Sequence, residues 1–308
     1  MMKRNKKWLL ISLIAATLGL TGCQLSKTME VTADNQTVTV PKLPHKVVVM
    51  NYGALDTLDA LGKGSIVVGA PQSVIPSYLN QYKKANIKDT GNMKEPNLEA
   101  IKQVKPDLII IDGRQASRAP ELTKIAPVIN LSVDAKNYIQ STKDHINVLA
   151  SITGTEAKAT NLIQSLEKKV NDAQSIASTS HKKAIVAIHN DGKMILINTS
   201  SSAALIHDVL KVKRAVPVDV KSSNNNDKPK PVFIDNHYIS TVKPDVIYVV
   251  DRSKAIGKEG MSESYFDSKV LKKAKTQVVY LTPDLWYLSG GGAESLDRQI
   301  DEVVNSLK

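Results

Sequence analysis

The chain is 308 residues long, carries 41 Lys and Arg against 30 Asp and Glu for a formal charge of +11, and contains one cysteine. A single cysteine excludes an internal disulfide and any Cys-rich metal site, and the six histidines are scattered without metal-ligand spacing. The length exceeds an ordinary single domain and predicts one large or two medium domains.

The N-terminus has the layout of a secretory signal: Lys3, Arg4, Lys6 and Lys7, an apolar run from Trp8 to Leu20, then small residues. That run is too short to span a bilayer comfortably, which disfavours the alternative of an uncleaved helical anchor. Leu20-Thr21-Gly22-Cys23 resembles the bacterial lipobox, which implies removal of residues 1–22 and a lipid on Cys23. The expected location is the cell envelope, lipid-anchored to a membrane and facing the periplasm or the exterior. Losing the four basic residues lowers the formal charge from +11 to +7. Export argues against nucleic acid as partner, and the lack of long basic runs favours an anionic small ligand held by a few placed arginines.

Residues 23–40 read as a polar tether running into an edge hairpin. The N-terminal lobe is assigned to 41–152 and opens with the strand Val47–Met50, the loop Asn51-Tyr52-Gly53 and an amphipathic helix. Residues 104–114 (VKPDLIIIDGR) and 242–252 (VKPDVIYVVDR) repeat, each after a helix-like segment that Pro106 or Pro244 stops. Their continuous apolar runs predict buried parallel strands. Residues 153–180 predict one long connecting helix, and 181–308 a C-terminal lobe that starts with the strand Ala184–Ile188. The fold class is α/β, with two Rossmann-like lobes joined by a single long helix and a ligand cleft between them. Residues 219–231, Asn-rich and Pro-bearing, read as a surface loop able to act as a lid.

Signatures of hydrolases, zinc proteases, thiol redox enzymes and nucleotide binders are missing, and Gly290-Gly291-Gly292 lacks the strand and helix context of a phosphate loop. The reading is a non-enzyme. Arg114 and Arg252 end equivalent strands, and ligands of α/β sheets bind beyond such ends. Facing lobes would aim both guanidiniums into one cleft, where they suit an anion. The alternative is that each pairs with its neighbour, Asp112 or Asp251.

The lipobox, NYGALDTLDALG, PNLEAIKQVKPDLIIIDGR, VKPDVIYVVDR and TPDLWYLSGGGAESL together resemble the iron-siderophore substrate-binding lipoproteins of ABC importers. The resemblance spans nearly the whole mature chain and is strongest to members that bind ferric catecholates. It implies two α/β lobes, a shallow cleft, a monomer, no resident cofactor, iron(III) carried as the siderophore complex, and an ABC permease as partner. By motif, it assigns ligand binding to Arg114 of Gly113-Arg114-Gln115 and to Arg252, and an iron-coordinating role to Tyr287. Asn51 and Tyr52 are expected to line the first-lobe wall, and Trp286 to support Tyr287 or stack on a planar ligand. Glu99 and Glu294 match the acidic residues, one per lobe, that dock on the permease.

Two departures bear on the cargo. Where relatives have a third cleft arginine, this chain reads Ser200-Ser201-Ser202-Ala203-Ala204, and their iron-binding histidine falls in a stretch reading Lys228-Pro229-Lys230-Pro231. Lys230 or the displaced His237 stands as a substitute. A hexadentate or less anionic ligand, such as a mixed-ligand siderophore, therefore stays open. The alternatives are haem or a cobalamin-type corrinoid on the same fold, or an exported enzyme, for which no acid–base pair is found.

Overall fold

The computed structural model describes residues 27–218 and 230–308. The signal segment, Cys23 and most of the proposed lid, 219–229, lie outside the described residues. Among the described residues no helix is long and apolar enough to cross a membrane.

Strands β1 (Thr28–Ala33) and β2 (Gln36–Pro41) form an antiparallel hairpin. Its two turn residues, Asp34 and Asn35, both have positive φ, the combination that matches the twist of a two-residue hairpin. Val31 and Val40 are buried, and the hairpin contacts β7 (Val128–Asn130) and the helix Tyr138–Thr153. It is therefore part of the first lobe, which begins near Thr28 and not at residue 41.

The first lobe holds a five-stranded parallel sheet in the order β5-β4-β3-β6-β7, with β3 (Val47–Val49), β4 (Val67–Ala70), β5 (Lys88–Asp89) and β6 (Leu108–Ile111). Its central side chains alternate between two cores. Val47, Val49, Leu108 and Ile110 face one, while Val48, Ile109 and Ile111 face the other. A sheet covered on both faces requires apolar residues at every strand position, which is why these segments show no polar alternation. Helices α1 (Tyr52–Ala60), α2 (Leu98–Val104), α3 (Ala119–Leu122) and α4 (Tyr138–Thr153) connect the strands.

Helix α5 (Glu156–Thr179) leads to the second lobe. It starts at Glu156 and not at 153 because Gly154, in the left-handed region at φ 65°, ends α4. Its 24 residues span about 36 Å, and Leu166, Val170, Ala173 and Ala177 form its buried stripe. The second sheet runs β10-β8-β11-β12 in parallel, from β8 (Lys183–Asn190), β10 (Lys213–Arg214), β11 (Val246–Asp251) and β12 (Gln277–Leu281), with β9 (Lys193–Leu196) antiparallel to β8. The remaining helices are α6 (Ser201–Ala203), which continues as a wide π-type turn, α7 (Asn236–Val242), α8 (Arg252–Ala255), α9 (Ser268–Ala274), α10 (Pro283–Tyr287) and α11 (Ala293–Leu307).

The repeated Val-Lys-Pro-Asp segment has a mechanical meaning. Asp107 accepts the backbone N–H groups of His45 and Lys46 at 2.7 and 3.0 Å, and Asp245 accepts that of Lys183 at 2.8 Å. Each aspartate thus ties the start of β6 or β11 to the start of the neighbouring strand, β3 or β8. The helices before them are also matched: Asn97 caps α2 through Ala100, Asp235 caps α7 through Tyr238, and Lys105 and Lys243 end both in the left-handed conformation. The helices end at these lysines, one residue before each proline, since the residue before proline is pushed out of the right-handed helical region.

Helix α11 does not stay with the second lobe. It packs along both α5 and α1, and Lys169 of α5 bridges Asp297 and Asp301 at 2.7 and 2.8 Å. Its amino end is seated in the first lobe: Asp56 of α1 accepts the N–H groups of Glu294 and Ser295 at 3.2 and 3.1 Å, and the Thr57 hydroxyl accepts that of Ala293 at 3.0 Å. A Cβ on Gly53 would stand 2.3 Å from the Gly290 carbonyl, so glycine alone permits this approach. Besides the connecting helix α5, the lobes therefore meet through α11 and the loop before it.

Candidate ligand-binding site

Arg114 follows β6 and Arg252 follows β11, so the two equivalent strand ends deliver both guanidiniums to the same rim. They converge on Tyr287, the last residue of α10. Arg114 donates Nη2–H to the Tyr287 carbonyl at 2.7 Å, and Arg252 donates Nε–H to its phenol oxygen at 2.8 Å. The guanidinium carbons stand 5.8 and 5.5 Å from the ring centroid, within range of a cation–π interaction. One phenol thereby meets two cations from opposite lobes.

Each arginine is held by its own lobe. Asp112 accepts Arg114 Nη1–H and Arg114 backbone N–H, both at 2.7 Å, while buried Gln115 accepts the Asp112 N–H at 2.9 Å. Arg252 donates Nη1–H to the side-chain oxygen of Asn190 at the end of β8. Asp251 does not pair with Arg252. It accepts from His189 at 2.9 Å and from the amides of Lys254 and Met261 at 3.0 and 2.6 Å. Burial opposes ionisation of Asp251, yet these donors prevail and hold its carboxyl below the usual range.

A cavity of about 340 Å³ opens here, lined by Asn51, Asp112, Arg114, Ser132 and Tyr138 of the first lobe, Ser201 of the second and Ser289 of the loop between α10 and α11. A larger hollow of about 570 Å³ lies under the N-terminal hairpin, but Asp34 is the one charged residue in its lining. Chemistry, not size, marks the interlobe cavity as the site: Arg114 lines it, and through Arg114 it adjoins Tyr287 and Arg252.

The loop Ser289–Gly292 is fixed to the first lobe. Tyr78 donates from its hydroxyl, which lies 3.0 Å from Asp56 and 2.8 Å from Ser289 Oγ, and Tyr138 accepts the Gly291 N–H at 3.1 Å. Asp56 is fully buried, and desolvation raises its pKa to about 7 despite these donors.

The remaining expected residues divide. Asn51 does line the cavity, with its side chain committed to the α1 cap at Ala54 and to the Leu131 carbonyl at 2.9 Å. Tyr52 does not line the wall: it is fully buried, and its hydroxyl donates to the Pro71 carbonyl at 3.0 Å. Burial pushes its phenol pKa far up. Trp286 offers no face for stacking either, since it is buried and its indole N–H donates to Glu302 at 2.8 Å. Its place is behind Tyr287, in the core between α10 and α11.

His237 is exposed in the first turn of α7 and makes no hydrogen bond or ring contact with Arg252 or Tyr287. It stands at the offset that relates Arg114 to Arg252, and is therefore the second-lobe counterpart of Glu99 in α2. Lys230 is likewise exposed, and among the described residues no cluster of three His, Cys, Asp or Glu side chains is placed to hold a metal. Glu99 is exposed and pairs with Lys102 at 2.7 Å, and Glu294 pairs with Arg298 at 2.6 Å. Because the Glu294 amide rests on Asp56, that glutamate belongs to the joint between lobes and not to the second lobe alone.

The sequence reading missed Asn190, Asp56 and Tyr138. Asn190 had a signal, because it is an asparagine at the carboxyl end of a central strand, as Asn51 is just beyond β3. Asp56 had a weaker one, a carboxylate on the apolar side of an amphipathic helix.

The family model described as periplasmic binding protein matches residues 47–291. The petrobactin-binding protein YclQ of Bacillus subtilis is 35% identical over 279 residues, covering 89% of this chain and 86% of that protein. Its crystal structure superposes with a TM-score of 0.84 over 92% of this chain and 99% of that one. The ferric-anguibactin-binding protein FatB of Vibrio anguillarum is 26% identical over 89% of this chain and 85% of its own length. The siderophore-binding protein BauB, solved with two acinetobactin molecules and ferric iron, is 27% identical with a TM-score of 0.80 over 91% of this chain and 99% of that one.

Proposed function

Because the chain belongs to the periplasmic binding protein family, we propose that it captures a ferric siderophore between its lobes, at Arg114, Arg252 and Tyr287, and delivers it to an ABC importer. The observation that carries the reading is the convergence of two guanidiniums from opposite lobes on one tyrosine at the cleft. Petrobactin, ferric anguibactin and the ferric acinetobactin complex, bound by YclQ, FatB and BauB, support the same cargo class.

Ferric siderophores of the catecholate and mixed-ligand kinds present anionic oxygens around a hard cation. Guanidinium donors suit those oxygens because they stay charged and hydrogen-bond in a fixed plane. Tyr287 supplies the remaining chemistry. A phenolate is a hard oxygen donor that suits ferric iron, and the Arg252 hydrogen bond with the two cations at the ring holds the Tyr287 oxygen at the cleft. Where the siderophore leaves iron coordination open, Tyr287 fills a position; where it does not, the phenol remains a wall contact. No other histidine or tyrosine is joined to these arginines by the contacts of the described residues.

Capture and delivery leave the covalent structure of protein and cargo unchanged. The lipid on Cys23 keeps the body at the membrane, and Glu99 faces the importer from the first lobe. Glu294, at the joint, provides the second contact. The test is tryptophan fluorescence, since Trp286 lies next to Tyr287 in the chain. Titration with ferric catecholate, mixed-ligand and hydroxamate complexes gives quenching at or below about 1 µM for at least one ferric siderophore. Absence of quenching by all of them, or a Soret shift with haem alone, contradicts the proposal.

A further inference from the structure

The two guanidiniums of the cleft are electrostatically unequal. Arg114 gives one edge to Asp112, with Nη1 and Oδ2 2.7 Å apart and side chains 30% and 14% exposed. Arg252 hydrogen-bonds neutral oxygens, those of Tyr287 and Asn190, and among the described residues it forms no ion pair; Asp191 feels its charge but is bridged by Lys258 at 3.0 Å. Its chain neighbour Asp251 turns to His189 and to backbone amides.

Asp112 is therefore a carboxylate built into the wall of the ligand cavity. It cannot swing aside: its oxygens hold the Arg114 backbone and side chain, and its own N–H is fixed by the buried Gln115. Two guanidiniums and this one carboxylate leave a single net positive charge. A ferric tris-catecholate carries three negative charges, since three dianions surround one trivalent iron, and it would approach Asp112 as well as Arg114. A ferric trihydroxamate is neutral and meets no such opposition.

Resting on the ferric-siderophore reading above, we propose that Asp112 is a specificity-determining residue that limits the negative charge of the cargo. The site takes ferric complexes of low net charge, mixed-ligand ones among them, in preference to trianionic ones. Removing the carboxylate frees Arg114 Nη1 and restores the second positive charge, so the benefit grows with the charge of the ligand.

The experiment compares the full mature protein with Asp112→Asn, which keeps an oxygen for the Arg114 amide. Affinities for a ferric tris-catecholate and a neutral ferric trihydroxamate are measured by quenching at low and high ionic strength. The expected result is a shift of the selectivity ratio toward the trianion on the order of tenfold, shrinking as salt is raised. Asp112→Ser, whose hydroxyl can also accept the amide, shifts the ratio in the same direction and covers the case that the first variant fails to fold. Equal weakening of both ligands would mean that Asp112 only positions Arg114, and an unmoved ratio would remove its role in selectivity; either overturns the proposal while the parent reading stands. A wild-type protein that binds no ferric siderophore overturns both.

Discussion

Arg252 donates its Nε–H to the Tyr287 phenol oxygen at 2.8 Å while Arg114, from the other lobe, holds the carbonyl of the same tyrosine. The phenol is thereby fixed at the seam of the lobes by the protein's own side chains. This preorganisation gives separate predictions for charge and for coordination.

Arg114→Ala and Arg252→Ala each weaken binding of an anionic ferric complex by about tenfold or more, the scale of a charge-assisted hydrogen bond. The loss is larger for Arg252, which forms no ion pair among the described residues, and it falls with ionic strength. Equilibrium titrations at two salt concentrations check both points. Losses independent of ligand charge would indicate damaged packing.

Tyr287→Phe removes the phenol oxygen and keeps the ring under both arginines. Binding of a ferric complex with open coordination positions falls by at least tenfold, and that of a hexadentate one falls only slightly. The visible phenolate-to-iron charge-transfer band appears with the open complex in the wild type and disappears in the variant. Equal losses for both ligand types would remove the iron-ligand role.

Asp56 makes stability depend on pH. Its pKa is about 7 in the folded protein, above the ordinary carboxylate value, so the folded state holds the proton more tightly than the unfolded chain. Its contribution is most favourable below the unfolded pKa and declines as pH rises to about 7, by a few kcal/mol in total. Asp56→Asn flattens that part of the profile, which chemical denaturation between pH 4 and about 8 measures. Asp56→Ala, which leaves the Glu294 and Ser295 amides and the Tyr78 hydroxyl without their acceptor, destabilises by about 2–4 kcal/mol.

Two buried histidines act in the opposite sense. Desolvation lowers the pKa of both His145 and His207 to about 4, so both stay neutral in the folded state. Their stabilising contribution is complete above the unfolded histidine pKa and is lost as pH falls toward 4. His207→Gln therefore reduces the acid sensitivity of the melting temperature, and a scan from pH 7 to about 4 checks it.

The two lobes were legible because Asp107 and Asp245 perform one structural task twice, and the same repetition carried Arg114 and Arg252 to equivalent strand ends. The final helix was not legible. Its apolar stripe announces burial without saying against which partner, and only the approach of Gly53 to the Gly290 carbonyl and the acceptors on Asp56 and Thr57 bring it to α1. The same limit explains Tyr52 and Trp286. Each neighbours a cleft residue, but its direction is set by the phase of a short helix, which adjacency in the chain does not reveal. His237 went astray for a different reason: the repeat itself pairs it with Glu99, and comparing lobe with lobe places it on that surface position.

The most direct test is the affinity of one low-charge, mixed-ligand ferric siderophore for the wild type and for the Arg114→Ala/Arg252→Ala double variant, with circular dichroism to verify the fold. The predicted result is a Kd at or below about 1 µM for the wild type and a loss of at least about a hundredfold in a folded double variant. A folded double variant that binds as tightly as the wild type would contradict the account.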